Sequence, residues 1–138
     1  SGRGRNANSI LQKQASAMSQ KDKFDLVRRS RDKAYVATRY LKENKLDDFG
    51  NLLHEAWLDK KAVATDITND YFDEVYNRAL EAGALGGKLL GAGGGGFFLF
   101  YVRPEDRENV IKTITDGTSC RVYDFRFYEY GSRIATHC

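Results

Sequence analysis

The sequence predicts an α+β domain, with a helical first half followed by a ferredoxin-like antiparallel sheet. Three observations support this fold class. Apolar residues recur at helical spacing up to Ala82, and no proline interrupts them. Beyond Gly83 the apolar period changes to that of strands. With 138 residues and 41% hydrophobic content, the chain is large enough for a core, so we expect residues 1–138 to form a single domain.

Four helices are predicted before Gly83, each with an apolar face that we expect to lie in the core. The apolar positions are Ala7, Ile10, Leu11, Ala15 and Met18 in the first helix, Phe24, Val27, Ala34, Tyr35 and Leu41 in the second, Phe49, Leu52, Leu53, Ala56 and Trp57 in the third, and Phe72, Val75, Tyr76, Ala79 and Leu80 in the fourth. A turn over residues 44–48 separates the second helix from the third. Thr68 is the predicted N-cap of the fourth helix, Ile67 and Phe72 have the spacing of a hydrophobic staple, and Gly83 ends the helix.

Two strands, a helix and a final strand are predicted after Gly83. The strands from Gly87 to Leu90 and from Phe97 to Val102 flank a glycine run. Pro104 then opens a helix at its first turn. The apolar face of that helix carries Val110, Ile111 and Ile114, and Asp116 and Gly117 end it. From Arg121 to Tyr130 aromatic and charged residues alternate, which predicts a half-buried antiparallel strand.

Composition and charge exclude several classes of function. The net charge of +3 comes from 22 basic and 19 acidic residues spread along the chain, which is too weak a bias for a nucleic-acid partner. The basic run from Arg28 to Lys33 is expected to form a solvated helix face. No apolar segment is long enough for a membrane span. Cys120 and Cys138 provide neither a disulfide framework nor metal-ligand spacing, so we expect a reducing, cytoplasmic compartment.

The most informative feature for function is the glycine run between the two strands. Seven of the 13 glycines lie in residues 86–96, directly before six apolar residues. Glycine costs backbone entropy on folding, so a run of this size needs a reason. Backbone without side chains lets main-chain N–H groups approach an anion such as phosphate closely. A bulged hairpin, or close packing of a helix on the sheet, is the simpler alternative that needs no ligand.

The run does not match the common phosphate-binding loops. Gly91, Gly93 and Gly96 satisfy the dinucleotide-binding spacing, but that motif opens a helix and this run opens a strand. A Walker A loop would need Gly-Lys-Ser or Gly-Lys-Thr at the end of the run. A protein-kinase lid would need Val-Ala-Ile-Lys, His-Arg-Asp and Asp-Phe-Gly segments, which the sequence lacks.

The segment from Gly83 to Phe97 instead resembles the third sequence motif of the GHMP kinases, the superfamily of galactokinase and of homoserine, mevalonate and phosphomevalonate kinases. Within it, the chain is most similar to the D-glycero-D-manno-heptose 7-phosphate kinases. The segments that carry this similarity are Leu53 to Trp57 with Lys60 and Lys61, the glycine motif, and Val110 to Ile114. Ser1 to Arg5 also resembles a Thr-Gly-x-Ser-Arg segment of that family, which follows a strand.

The resemblance implies the C-terminal domain of an ATP-dependent sugar kinase. Its substrate would be a sugar phosphate, and the residues closing the cleft near the transferred phosphoryl group would be Gly91, Ala92, Gly93, Gly94 and Gly95. The family motif Pro-x-x-x-Gly-Leu-Gly-Ser-Ser-Ala does not occur here, so ATP and Mg²⁺ would bind mainly to an N-terminal lobe that these 138 residues lack. We therefore expect the isolated chain to be inactive and assign it no catalytic residue or metal ligand. Leu90 also stands where the family often has Ser or Thr.

Two cations are candidates for substrate binding. Arg5 matches the family arginine and can contact a phosphate in a bidentate way. The alternative for Arg5 is an exposed cation near the start of the chain. Lys88 lies in the glycine motif, but strand alternation favours a side chain that faces solvent. His54 is expected to be a hydrogen-bonded packing residue. Two other functions stay open: a noncatalytic ferredoxin-like ligand-binding or regulatory module, and a GHMP kinase for another small alcohol. A strand missing upstream of Ser1 would expose a sheet edge, so a homodimer is also expected.

Overall fold

The computed structural model describes residues 20–63, 68–90 and 96–127, which form four α-helices and a two-stranded antiparallel sheet. In chain order the elements are α1 (Gln20–Lys42), α2 (Leu46–Val63), α3 (Asp70–Glu81), β1 (Ala84–Leu90), β2 (Phe97–Val102), a short 3-10 helix (Pro104–Asp106) and α4 (Arg107–Thr115). The predicted α+β class is confirmed, while the helix predicted over residues 7–18 lies outside the described residues. None of the described helices is long and apolar enough to span a bilayer.

The ends of α3 show which local signals decide a helix boundary. Asn69 is the N-cap, and its side-chain oxygen accepts a hydrogen bond from the Phe72 backbone N–H at 3.0 Å. The prediction of Thr68 as the cap is wrong, because the Thr68 hydroxyl instead donates to the Asp73 carboxylate at 3.1 Å. The other end is as predicted: Gly83 follows the last turn with φ +116°, a conformation that favours glycine. The staple residue Ile67 lies outside the described residues.

The sheet brings the glycine-rich strand against the aromatic one. β1 and β2 are antiparallel, with Gly87 opposite Phe100 and Lys88 opposite Leu99. β1 begins three residues earlier than predicted, at Ala84, which pairs with Val102 across an irregularity in the register between Ala84 and Gly86. The glycines give β1 little side-chain bulk, so large aromatic rings of β2 and the neighbouring helices fill the space around it.

The core lies between the sheet and helices α2, α3 and α4. One cluster contains Trp57, Tyr76 and Leu89, with the rings of Phe98 and Phe100 packed against it. A second cluster joins the end of α3 to β1 and α4; its buried members are Ala79, Ala82, Ala84 and Val110. The predicted apolar faces of α2, α3 and α4 are therefore confirmed at their central residues.

The prediction that the apolar face of α1 lies in the core is wrong for the described residues. Phe24, Val27 and Tyr35 are 68%, 68% and 71% exposed, and Ala34 and Leu41 are exposed as well. Lys33 Nζ lies 3.0 Å from the Glu55 carboxylate and 3.4 Å from that of Asp59. This pairing places Lys33 near the last turns of α2, so the beginning of α1 extends past the end of α2. Within the described residues, no element covers that part of α1.

The strand predicted from Arg121 to Tyr130 is also wrong over residues 121–127, which have no regular structure. The side chains there are exposed, including Tyr123 at 60% and Phe127 at 86%. A strand needs a neighbour that pairs with its backbone N–H and C=O groups. In the described part of the chain no strand pairs with residues 121–127. Residues 128–130 lie outside it.

Candidate functional site

Helix α2 lies directly against β1, and this close contact determines which side of the strand each residue faces. A Cβ atom added to Gly86 would overlap the Gly50 carbonyl oxygen and would lie 2.7 Å from the His54 backbone nitrogen. Because alternate residues of a strand share a face, Lys88 leaves β1 on the same side as Gly86. The Lys88 side chain is exposed there, while Leu89, on the other side of the strand, packs with Trp57 of α2.

The hydroxyl of Tyr76 holds the backbone of β1 immediately before Lys88. The Gly87 N–H donates to the Tyr76 hydroxyl at 3.2 Å, and the same hydroxyl lies 3.5 Å from the Gly87 carbonyl oxygen. His54 Nδ1 lies 3.0 Å from it, and the two rings stack with centroids 5.9 Å apart. The prediction that His54 is a hydrogen-bonded packing residue is thus confirmed. Burial raises the pKa of Tyr76 to about 12, against the weaker opposite effect of the hydrogen bond to Gly87.

Two lysines end α2 beside this strand. Lys61 Nζ forms an ion pair with the Asp73 carboxylate of α3 at 2.6 Å. Burial lowers the pKa of Lys60, and the positive charge of Lys88 lowers it further. Lys60 and Lys88 come from different elements, yet their charges influence each other.

The structure places only part of the predicted site. Lys88 is described, whereas Arg5 and the run Gly91, Ala92, Gly93, Gly94 and Gly95 lie outside the described residues. Leu90, which stands where the family named in the sequence analysis often has Ser or Thr, is 43% exposed. Sequence reasoning did not assign Lys60 or Tyr76 to the site. The signal for Lys60 was its presence beside Lys61 at a helix end, while no spacing rule links Tyr76 to the backbone of Gly87.

A cleft with a different lining lies elsewhere, between β2, α4 and residues 120–127. It has a volume of about 810 Å³, and its lining is mainly aromatic and aliphatic, including Phe97, Phe100 and Ile111. Such a lining suits packing against another polypeptide segment better than phosphate chemistry. Among residues 20–63, 68–90 and 96–127, no three His, Cys, Asp or Glu side chains come together as a group that could hold a metal ion.

Comparison with known proteins identifies the family. Residues 37–117 match the family model described as GHMP kinases C terminal, a span that contains α2, α3, both strands and α4. The chain belongs to the GHMP kinase family. It is also 38% identical, over 87 residues, to a D-glycero-alpha-D-manno-heptose 7-phosphate kinase of Campylobacter jejuni. That alignment covers 61% of this chain and 25% of the relative, so the chain matches about a quarter of the relative's length.

Membership of the GHMP kinases confirms the resemblance based on the glycine motif. The matched span includes Lys60, Tyr76, Lys88 and the glycine run. The exposed residues 121–127 follow the matched span. The cleft beside them therefore lies partly outside the matched region.

Proposed function

We propose that this chain is the C-terminal domain of a kinase that uses ATP to phosphorylate the anomeric hydroxyl of D-glycero-D-manno-heptose 7-phosphate. The observation that carries the proposal is the 38% identity to a heptose 7-phosphate kinase, together with the match to the GHMP kinases. The proposed enzyme acts in the cytoplasm and has an N-terminal lobe that carries the catalytic acid and most of the ATP site. The 138-residue chain alone is inactive under this proposal.

In the proposed reaction, the anomeric oxygen forms a bond to the γ-phosphorus of ATP while the bond to the β,γ-bridging oxygen breaks. ADP leaves with that electron pair, and the proton of the anomeric hydroxyl passes to a base of the N-terminal lobe. Mg²⁺, when bound, neutralises charge on the ATP phosphates. The described residues lack a cluster of carboxylates suited to this ion, so we assign its ligands to the rest of the enzyme.

The proposed contribution of this domain is to close the cleft and bind phosphate. Gly91, Ala92, Gly93, Gly94 and Gly95 approach the transferred group with backbone rather than side chains. Arg5 and Lys88 supply positive charge for the phosphate already present on the sugar. Donors aimed at the transferred group act most strongly when they are held in place before the reaction. The hydrogen bonds of Tyr76 to Gly87 support this role, because they hold β1 next to Lys88.

A substrate panel tests the proposal with the full-length enzyme. We expect ATP-dependent phosphorylation of heptose 7-phosphate with a kcat/KM at least about a hundredfold above those for galactose, mevalonate and homoserine, because a site built around a phosphate leaves its cations unpaired without one. Preference for another member of the panel would reassign the enzyme within the GHMP kinases. A folded full-length protein that phosphorylates none of them would support the noncatalytic module instead.

The glycine run is tested in the same assay with Gly93→Val. A side chain there would block the approach of backbone N–H groups, so we expect kcat to fall about 10²- to 10³-fold with the fold retained. The control is Ala62→Val, which adds similar bulk at an exposed position of α2. Circular dichroism checks folding of both variants. Near-normal turnover in folded Gly93→Val would refute the role of the run.

A further inference from the structure

We propose that the cleft between β2 and residues 120–127 is the place of one further β-strand, which the N-terminal lobe of the enzyme supplies. The inference rests on the proposed function only for the existence of that lobe. The cleft itself, with its walls and its floor, is formed by described residues. The added strand pairs with the free edge of β2 through backbone hydrogen bonds, and it carries apolar side chains toward α3 and α4.

The lining of the cleft shows that it follows an edge of the sheet rather than one of its faces. Successive side chains of a strand point to opposite faces, so a cleft over one face would touch every second residue. This cleft touches Gly96 and each of the four residues after it, and it also touches every residue from Cys120 to Phe127. It therefore runs along the edge of β2, with residues 120–127 as the opposite wall.

The edge of β2 at the cleft has no neighbouring strand in the described part of the chain, where β2 pairs with β1 alone. An apolar strand edge of this kind is a template for another strand. The ring of Phe97 contacts the ring of Tyr123 across the cleft, with centroids 5.2 Å apart. Two strands that flank the place of a third are about 10 Å apart, a distance that two aromatic side chains can bridge. The contact is therefore compatible with room for one strand between the two backbones.

The floor of the cleft is apolar and belongs to the two helices beneath the sheet. Its residues are Phe72 and Val75 of α3 and Val110, Ile111 and Ile114 of α4. A strand on this floor places apolar side chains toward the helices at every second position. The edge of β2 is six residues long and the cleft has a volume of about 810 Å³. These dimensions suit a strand of ordinary length, about five or six residues.

The order of the elements indicates where the strand comes from. β2 leads through α4 to residues 121–127, and a connection through a helix commonly joins parallel strands. The helices α1, α2 and α3 lead into β1 in the same way, so a strand before them runs parallel to β1 and antiparallel to β2. Placed in the cleft, this strand lies between β2 and residues 121–127, as in a split βαβ arrangement. It also supplies the neighbour that residues 121–127 lack in the described part of the chain.

The sequence before α1 favours a strand from further upstream. Residues 1–6 carry no apolar side chain that could lie on the floor of the cleft. The apolar positions of residues 7–18 recur at helical spacing. The part of the heptose 7-phosphate kinase that matches this chain is only 25% of that relative. The strand is therefore assigned to the polypeptide that precedes Ser1 in the full-length enzyme.

Hydrogen exchange of backbone amides tests the proposal in the full-length enzyme and in the 138-residue chain, diluted until light scattering reports a monomer. We expect the N–H groups of β2 that do not bond to β1 to exchange at least about a hundredfold more slowly in the full-length enzyme. The N–H groups bonded between β1 and β2 are the internal control, because they are protected in both proteins. Fast exchange at the free edge in the full-length enzyme would overturn the proposal. Equal protection in the monomeric chain would assign the cleft to residues of the chain itself and would also overturn it.

A charge in the wall of the cleft tests the role of residues 121–127. Phe125 lines the cleft and is 61% exposed, so Phe125→Asp should leave the monomeric chain unchanged. In the full-length enzyme it should reduce the protection at the free edge of β2 about tenfold, because the carboxylate lies beside the added strand. Phe24→Asp on α1, where the side chain is 68% exposed and does not line the cleft, is the control. Retained protection between β1 and β2 shows that both variants stay folded. Unchanged protection in Phe125→Asp would exclude residues 121–127 from the proposed sheet and contradict the proposal.

The exchange experiment does not depend on catalysis. An enzyme that phosphorylates heptose 7-phosphate with an unprotected edge of β2 would refute the added strand and leave the proposed function intact. A protected edge in a full-length protein that phosphorylates no member of the substrate panel would refute the proposed function and leave the strand intact. Protection that rises with the concentration of the full-length enzyme would assign the cleft to a second copy and overturn the assignment to the N-terminal lobe.

Discussion

Tyr76 contributes both to the stability of the domain and to the geometry of the candidate site. It is 3% exposed, yet its hydroxyl is shared between the backbone of Gly87 and the ring of His54. Without that hydroxyl, the buried Gly87 N–H would lose the side-chain hydrogen bond that it donates. An unpaired buried donor costs about 1–3 kcal/mol. A single oxygen atom therefore joins α2, α3 and β1.

The pH dependence of unfolding tests this role of Tyr76. In the folded state its pKa is raised from 10.0 to about 12, so between these values the folded chain keeps a proton that the unfolded chain has lost. This contribution to the free energy of unfolding is complete below pH 10 and is lost as the pH rises toward 12, and it amounts to about 2–3 kcal/mol. Tyr76→Phe should be about 1–3 kcal/mol less stable near pH 8 and should lack this part of the alkaline decline.

Urea unfolding at several values from pH 8 to pH 12 provides the measurement. Tyr35→Phe, on the exposed side of α1, removes a hydroxyl that is not buried and serves as the control. The informative quantity is the difference between the two variants, because other groups of the chain also titrate in alkali. Parallel curves for wild type and Tyr76→Phe would contradict the assignment.

At the scale of elements, the contact between α2 and β1 depends on two glycines that face each other. Gly50 is helical and would carry a Cβ atom 2.6 Å from the Tyr101 ring and 2.8 Å from Leu85 Cβ. Gly86 meets backbone atoms of α2, which cannot move aside as the end of a flexible side chain can. The helix lies close to the strand only because both positions lack a side chain.

Gly86→Ala should therefore destabilise the domain by about 2–3 kcal/mol through overpacking alone, because the backbone atoms that it meets cannot move aside. Residues other than glycine can adopt the backbone conformation of position 86, so the expected loss of stability is steric. Gly117→Ala is the matched control: a methyl group there meets open space, but φ is +69°, and the backbone cost is about 1 kcal/mol. Thermal unfolding of both variants provides the comparison. If Gly86→Ala lost no more stability than Gly117→Ala, the proposed close contact would be wrong.

At the scale of the whole molecule, the aromatic strand β2 has an apolar surface that the described residues do not fully cover. None of the six apolar residues of β2 is fully buried, and Phe97 is 55% exposed. Phe97 contacts the exposed Tyr123, with ring centroids 5.2 Å apart, beside the cleft of about 810 Å³. In the described part of the chain, β2 pairs with β1 alone. An exposed apolar strand edge of this kind favours association with another chain.

We expect the 138-residue chain to self-associate, with a molar mass in light scattering that rises with concentration. Phe97→Lys places a charge on the strand and should shift the protein toward the monomer. Phe24→Lys makes the same change on the exposed face of α1 and should have a smaller effect. A wild-type chain that stays monomeric over the whole concentration range would contradict the expectation. If Phe24→Lys alone abolished association, α1 would be the interface.

The local sequence pattern was sufficient to predict that α2, α3, β2 and α4 exist. Each of them has a complete apolar face or a continuous apolar run. Gly83 was correctly assigned as the end of α3, since its left-handed backbone is a local requirement. The choice of Thr68 over Asn69 was wrong, because both are good caps and geometry alone decides which side chain reaches the first turn. Lys88 was assigned to the site through the glycine motif, and this assignment stays a prediction.

The sequence by itself determined the α+β class, the order of most elements and the GHMP kinase family, all of which depend on short-range periodicity and on a continuous motif. Only the tertiary structure decided that the apolar side of α1 and residues 121–127 are exposed, and that Tyr76 holds Gly87. Periodicity shows which side of an element is apolar, but it does not show what lies opposite. Contacts between residues far apart in the chain depend on how the elements pack, and this packing brings together His54, Tyr76 and Gly87.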